Sequence, residues 1–166
     1  MSTHEANDPP PFDYDPSTPS GAVIEALYAL QDAEALFRGR LRDRLGIGAN
    51  DLAALQYLAR LETVGKEVRP RDLTRTLGVT SAAATIILSR LELRGFVTRT
   101  PDPSDGRGQI LRLTPQAKKA LATAIGTSQG GVRTLFASIS DREAKRLVQL
   151  LSAVTASLDA GAPLDR

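Results

Sequence analysis

The sequence has no cysteine and a single histidine, His4. The absence of cysteine excludes disulfides, thiolate metal sites and cysteine-based redox sensing. With His4 in a polar stretch, a zinc site would have to be built almost wholly of carboxylates, against the metal's preference for nitrogen and sulfur. No apolar run approaches the length of a membrane span, and no basic-plus-apolar signal peptide opens the chain, so a cytoplasmic protein without a membrane partner is expected. No Gly-rich phosphate loop follows a strand, no nucleophile has a histidine partner and no metal ligands are paired. An enzyme is therefore the least favoured class, and no cofactor is expected.

What is present is an ordinary globular composition, 42% hydrophobic and 24% charged over 166 residues, enough for one domain with a real core. The net charge of +2 hides an asymmetry. Residues 1–65 carry 5 basic and 10 acidic side chains, whereas residues 66–119 carry 11 basic and 5 acidic. A basic patch is the footprint of a phosphate-binding surface, although a solvated surface would show the same excess.

Residues 1–19, with Pro9-Pro10-Pro11 and no apolar period, read as a disordered acidic tail. Ser20 is placed to cap a first helix that runs to about Leu45, with Ala26, Leu27, Leu30, Ala33, Leu36, Phe37 and Leu41 on one stripe. Gly46 and Gly48 stop it, and Asn50 is expected to cap a second helix carrying Leu52, Leu55, Leu58 and Ala59. Val68 to Pro70 suits a very short strand. Pro70 then opens a third helix that Gly78 ends after Leu77. Thr80 caps a fourth helix ending at Gly95. Hairpin arms follow at Phe96–Thr100 and Gln109–Leu113, around a turn-forming stretch from Pro101 to Gly108. Thr114 and Pro115 start a fifth helix through Leu121, Ile125, Val132, Leu135 and Phe136, weakened by Gly126, Gly130 and Gly131. Ser140 and Glu143 form a capping box for a sixth, with Leu147, Leu150, Leu151, Val154 and Leu158.

The order helix, Gly turn, helix, hairpin is that of a winged helix-turn-helix, in which the second helix enters a major groove and the hairpin reaches the neighbouring minor groove. On the fourth helix Ala84, Ile87, Leu88 and Leu91 fall at i, i+3, i+4, i+7 and face the core. Ser81, Ala82, Thr85, Ile86, Ser89 and Arg90 are left outside. The small residues let the backbone approach base edges, the hydroxyls can donate or accept there, and Ile86 suits thymine methyls. The competing reading is an unremarkable helix surface. At the hairpin tip Asp105-Gly106-Arg107 puts a carboxylate two residues from a guanidinium. Arg107 then suits the negative potential of a narrow minor groove, with Asp105 orienting it, or the two form a weak surface pair. Arg99, Arg112, Arg71, Arg75 and Lys66 are candidate phosphate contacts.

These residues resemble the MarR family of bacterial transcriptional regulators. The likeness rests on Leu77-Gly78-Val79-Thr80, on Arg90-Leu91-Glu92 with Gly95, and on the wing Pro101-Asp102-Pro103-Ser104-Asp105-Gly106-Arg107 leading to Leu113-Thr114. It extends over residues 20–158. Gly106 stands where the family often has Arg, Ser89 and Ile86 depart from the usual recognition-helix residues, and Ala117 replaces a usual Gly. The resemblance implies a mainly α protein with a small β-hairpin wing: a winged helix-turn-helix over 50–114 flanked by dimerisation helices at 20–45 and 115–158, with a flexible C-terminus over 159–166. It further implies a homodimer on double-stranded DNA with a near-palindromic operator, most often as a repressor. A small aromatic or phenolic effector would sit near Phe37, Arg38, Arg42 and Tyr57, residues that as readily serve as core and surface of long helices. The alternatives are an architectural DNA-binding protein of low sequence preference and a winged-helix module for protein contact.

Overall fold

The computed structural model describes residues 14–126 and 128–160; the side chains at 106, 107, 128 and 129 lie outside that description. The elements are α1 (Pro19–Leu45), α2 (Ala49–Thr63), α3 (Pro70–Leu77), α4 (Ser81–Leu93), β1 (Val97–Asp102), β2 (Asp105–Leu113), α5 (Pro115–Ile125), α6 (Ser128–Ala137) and α7 (Asp141–Ala160). They fall into two compact units, one within Met1–Ala124 and one within Ile125–Arg166.

The first unit is built on leucines. Leu41, Leu52, Leu55, Leu73, Leu88, Leu91 and Ile110 are its largest fully buried side chains, drawn from α1, α2, α3, α4 and β2. The fourth-helix stripe is as the periodicity predicts, with Ala84, Ile87, Leu88 and Leu91 all buried. Gly78 takes a left-handed conformation (φ 61°) and its N–H bonds the Thr74 carbonyl, closing α3 and turning the chain. The Thr80 side chain accepts from the Ala83 N–H to open α4. Across this turn α3 and α4 meet at 113°, within the range of helix-turn-helix pairs. Val68 bridges to Leu111, so the expected short strand exists as a single antiparallel bridge tying the hairpin to the approach to α3. Thr114 accepts from the Ala117 N–H and donates to the Gly95 carbonyl, joining the start of α5 to the end of α4.

Several sequence expectations need correction. Thr18, not Ser20, caps α1, accepting from the Gly21 N–H, because Pro19 occupies the first helical position where a missing N–H costs nothing. Just before that cap Asp15 accepts from the Ser17 N–H and hydroxyl; residues 1–13 of the expected tail lie outside the described residues. Gly48 takes the N-cap position of α2 without a side-chain bond, leaving Asn50 inside the first turn. The hairpin arms run further than expected. Asp102 pairs with Asp105 across a turn of Pro103 and Ser104, and Pro101 pairs with Gln109. A two-stranded hairpin has only edge strands, so a proline without an N–H is tolerated there. The long fifth helix is two helices, α5 and α6. The break is at Gly126, whose φ of 58° ends α5, while Gly130 and Gly131 lie inside α6.

In the second unit Ser140 and Glu143 form the expected capping box, the Glu143 carboxylate accepting from the Ser140 N–H at 2.8 Å. None of the residues of α7 is buried, and Leu147, Val148, Leu150, Leu151, Val154 and Leu158 are exposed. The stripe on α1 behaves alike: of its apolar side chains only Leu41 is buried, and Leu30 and Leu36 are 61% and 67% exposed.

Candidate nucleic-acid interface

α4 presents two chemically distinct faces. The inward face is apolar and buried. The outward one carries Ser81, Ala82, Thr85, Ile86, Ser89 and Arg90, all exposed, with Ile86 57% exposed. Thr85 donates its hydroxyl proton to the Ser81 carbonyl at 2.9 Å, which leaves its oxygen free to accept and its methyl free for apolar contact. This surface is small near the N-terminus and polar or methyl-bearing beyond.

Two charged residues are buried among the described residues, Asp51 and Asp102, and each clamps an arginine. Asp51, at the start of α2, accepts from Arg90 Nη2 at 2.6 Å and from Arg90 Nε at 3.2 Å. The Arg90 guanidinium is half exposed, so two of its five donors are spent on Asp51 and the remainder face outward. The hydrogen bonds to Asp51, then its charge, raise the Arg90 pKa further. Asp102, at the end of β1, accepts from Arg69 Nε and Nη2, both at 2.7 Å, on Oδ2. Its Oδ1 accepts from the Ser104 N–H at 2.9 Å and the Ser104 hydroxyl at 2.6 Å.

Asp102 is the group with a clear acid dependence. The Ser104 hydroxyl, then the Arg69 guanidinium, hold its carboxyl down from 3.8 to about 2. A carboxyl depressed in the folded state contributes stability that is complete above its unfolded pKa and is lost as pH falls through the folded value. The stability these bonds contribute should be complete at neutral pH and decline between about pH 4 and pH 2, with the bonds themselves opening around pH 2. The carbon-13 shift of the Asp102 carboxyl should show a midpoint near 2; a midpoint near 4 would contradict the geometry.

The remaining predicted cations divide by environment. Arg99 is held bidentately by Glu92, Nε to Oε1 at 2.7 Å and Nη2 to Oε2 at 2.9 Å, and is largely covered. Arg112 pairs loosely with Glu67 at 3.3 Å. Arg75 is 82% exposed despite a 3.5 Å approach to Asp72, and Arg71 and Lys66 are exposed. Asp105 is exposed at the hairpin turn. Arg107 contributes backbone to β2, and its side chain lies outside the described part. The turn is tight: a Cβ at Gly108 would lie 3.0 Å from the Asp102 Cβ and 3.1 Å from an Asp105 carboxylate oxygen.

The effector candidates are not drawn together into a described cavity. Phe37 lies 5.9 Å from the Arg40 guanidinium, Tyr57 lies 5.7 Å from that of Arg60, Arg38 pairs with Glu34 at 2.7 Å, and Arg42 is exposed. A concavity between the end of α1 and α5 is lined by other residues, among them Arg44, Gln116, Lys119 and Thr123. No group of three or more His, Cys, Asp or Glu among the described residues could hold a metal.

Sequence reasoning missed Asp51, Arg69, Asp102 and Glu92. Their partners lie far along the chain for the first three, 39 residues for Asp51 and 33 for Arg69, so helical or strand periodicity carries no trace of them. Only Glu92 and Arg99, 7 residues apart, were close enough to suggest a pair.

A 113° helix pair with an exposed small-residue face, followed by a two-stranded hairpin, defines a winged helix-turn-helix. A sequence model of the MarR family matches residues 45–108. The chain is 27% identical over 128 residues to the uncharacterized HTH-type transcriptional regulator YdgJ of Bacillus subtilis (strain 168), covering 77% of this chain and 76% of that protein. It is 36% identical over 67 residues to the multiple antibiotic resistance protein MarR of Salmonella typhimurium, which covers 39% of this chain and 46% of that one. Among solved structures it resembles S. aureus MepR in its DNA-binding conformation, with a TM-score of 0.61, 19% identity, and coverage of 81% of this chain and 98% of that one. A variant of MepR, solved bound to an oligodeoxyribonucleotide, matches with a TM-score of 0.53 at 20% identity over 81% of this chain and 97% of that one. The MepR likeness establishes the fold. Over residues 45–108 the chain is thus similar to the MarR family of transcriptional regulators. Among the described residues no single helix is long and apolar enough to cross a membrane.

Proposed function

We propose that the protein is a homodimeric repressor that reads a near-palindromic operator, with α4 in the major groove and the hairpin in the adjacent minor groove. The observation that carries this reading is the exposed face of α4, where Ser81, Ala82, Thr85, Ile86 and Ser89 lie opposite a fully buried apolar stripe. Ser81, Ala82, Thr85, Ile86 and Ser89 meet base edges. Arg90, presented by Asp51, meets a phosphate or a base at the far end of the helix. Arg71 and Arg75 lie exposed on α3 and meet backbone phosphates. Arg99 is a weaker phosphate contact than its charge suggests, because Glu92 already neutralises it. Arg107 enters the minor groove, oriented by Asp105. DNA bound to the MepR variant supports the assignment of such a fold to nucleic acid.

Dimerisation is supported by the exposed apolar side chains of α1, α6 and α7, which include Leu30, Leu36, Val132, Leu135, Phe136, Leu150, Leu151 and Leu158. On α7 alone, Leu147, Leu150, Leu151, Val154 and Leu158 recur at helical spacing, and monomeric proteins rarely leave such an apolar stripe to water. A two-fold dimer would place two α4 helices about one DNA turn apart, roughly 34–36 Å, and so demand a near-palindrome. A small aromatic or phenolic anion, taken up where the dimer helices meet the DNA module, would release DNA by favouring a different spacing of those helices, with Phe37, Arg38, Arg42 and Tyr57 as the residues to probe.

The direct test is titration of the purified protein against DNA upstream of its own gene and against shuffled DNA at two salt concentrations. Selective binding by two protomers is expected. Equal, salt-sensitive binding to both duplexes would indicate an architectural protein, and no binding to either would indicate a protein-contact module. In the same assay Arg107→Ala should cost about 1–3 kcal/mol of operator affinity. Undiminished affinity in that variant would remove Arg107 from the minor groove.

A further inference from the structure

We propose that Arg69 is a positioning residue for the wing: its pairing with Asp102 ties the hairpin tip to the start of α3 and so sets where residues 105–107 meet DNA. This rests on the DNA-reading function above.

Arg69 occupies the N-cap position of α3, where Ser, Thr, Asp or Asn would normally accept a hydrogen bond from the first turn. A guanidinium has no acceptor, and a cation at a helix N-terminus opposes the helix dipole. The residue is thus a poor local choice, and its partners explain it. Its backbone N–H donates to Asp72 Oδ2 at 2.8 Å, inside α3. Its side chain reaches 33 residues along the chain to Asp102, with a further approach of 3.4 Å to the Ser104 hydroxyl. Asp102 divides its oxygens between the two structures it joins. Oδ1 organises the Pro103-Ser104 turn and Oδ2 receives Arg69, with the side chain wholly buried.

The position of this contact along the hairpin gives it leverage. The base of the hairpin is held by Val97, Ile110, Leu111 and Leu113, all buried, and by the bridge from Val68 to Leu111. Beyond the Thr100 and Ile110 pair, the Arg69 side chain, through Asp102 and Ser104, links the outer hairpin to the start of α3. A two-stranded ribbon is marginally stable by itself, so the outer segment needs such a tether to hold one position. A part-buried ion pair contributes little net stability but fixes geometry well, because each partner left alone is penalised. The latch therefore governs where the wing sits more than whether the protein folds.

The test uses Arg69→Gln, Asp102→Asn, the double variant and Arg69→Lys, with melting curves confirming that each is folded. In the free protein, nitrogen-15 relaxation at residues 104–108 should report greater motion in Arg69→Gln and Asp102→Asn, and an intermediate level in Arg69→Lys, which keeps the charge but not the fork. Unchanged tip motion would overturn the proposal regardless of any DNA result. On the duplex that the wild-type protein enriches from a random library, either single variant should lose about ten-fold in affinity, the order of one well-placed arginine contact, with the double variant no worse than the singles. Binding to unrelated DNA should change less than about two-fold, since the phosphate contacts of the helices persist. Asp102→Asn gives the sharpest discrimination. If the carboxylate merely repelled phosphates, neutralising it would tighten binding to both duplexes, and that result would overturn the latch. If Arg69 were itself a phosphate contact, Arg69→Gln would weaken both duplexes alike while Asp102→Asn would not, which would also overturn it. Failure of the wild-type protein to prefer any duplex would count against the DNA-reading function instead, leaving the relaxation result to decide the latch.

Discussion

Ser81→Glu should abolish operator binding while leaving the protein at least as stable as before. Ser81 is the first residue of α4 and is exposed, so a glutamate there meets no packed neighbour. An acidic side chain in the first turn is favourable to the helix dipole, worth about 0.3–1 kcal/mol. In a major groove the same charge would face the phosphates and displace a group that approaches base edges. The loss should be on the order of 100-fold, equivalent to removing one or two good base contacts. The opposite signs of the two effects make the experiment decisive. A variant that melts slightly higher and no longer binds places this face of α4 on DNA, whereas one that still binds its operator tightly puts the contact on another face.

Leu151→Asp should separate the protomers and, with them, the affinity for a two-half-site operator. Leu147, Leu150, Leu151, Val154 and Leu158 repeat at helical spacing along α7, and all are exposed in the single chain. In a two-fold interface one substitution is felt twice, and each new carboxylate would be buried without a partner. Sedimentation should show monomer at micromolar concentration, with helix content retained by circular dichroism. Losing the second half-site removes the gain from tethering, about 10²- to 10⁴-fold, so operator binding should fall by about that much. A variant that remains dimeric would move the interface away from this face of α7. A monomer that bound the operator undiminished would contradict the two-half-site reading.

These expectations draw on parts of the molecule that were unequally legible in the sequence. The α4 stripe was fully legible, because a helix with Ala84, Ile87, Leu88 and Leu91 at i, i+3, i+4, i+7 has one way to bury them. The Gly78 turn and the Thr80 and Ser140 caps were legible for the same reason: each depends on neighbours within four residues. The hairpin was recognised but drawn too short, since Pro101 reads as a breaker unless both strands are known to be edges. The division of α5 from α6 was anticipated as weakness and proved to be a stop, because Gly126 adopts a left-handed conformation that no neighbouring residue specifies. The pairings of Asp51 with Arg90 and of Asp102 with Arg69 left no trace, since a buried carboxylate and its distant arginine form no local pattern. Both decide how an arginine is presented, so the candidate site was legible in its location and largely hidden in its support.

The central claim is that two copies of α4 read DNA sequence together. Selection of duplexes from a random library by the purified protein tests it most directly, with the stoichiometry on the enriched duplex measured afterwards. The expected result is a near-palindrome whose half-sites are centred about one helical turn apart, bound by two protomers at least about 10³-fold tighter than random DNA. A library that shows no enrichment despite salt-sensitive binding, or an enriched site without two-fold character bound by one protomer, would contradict it.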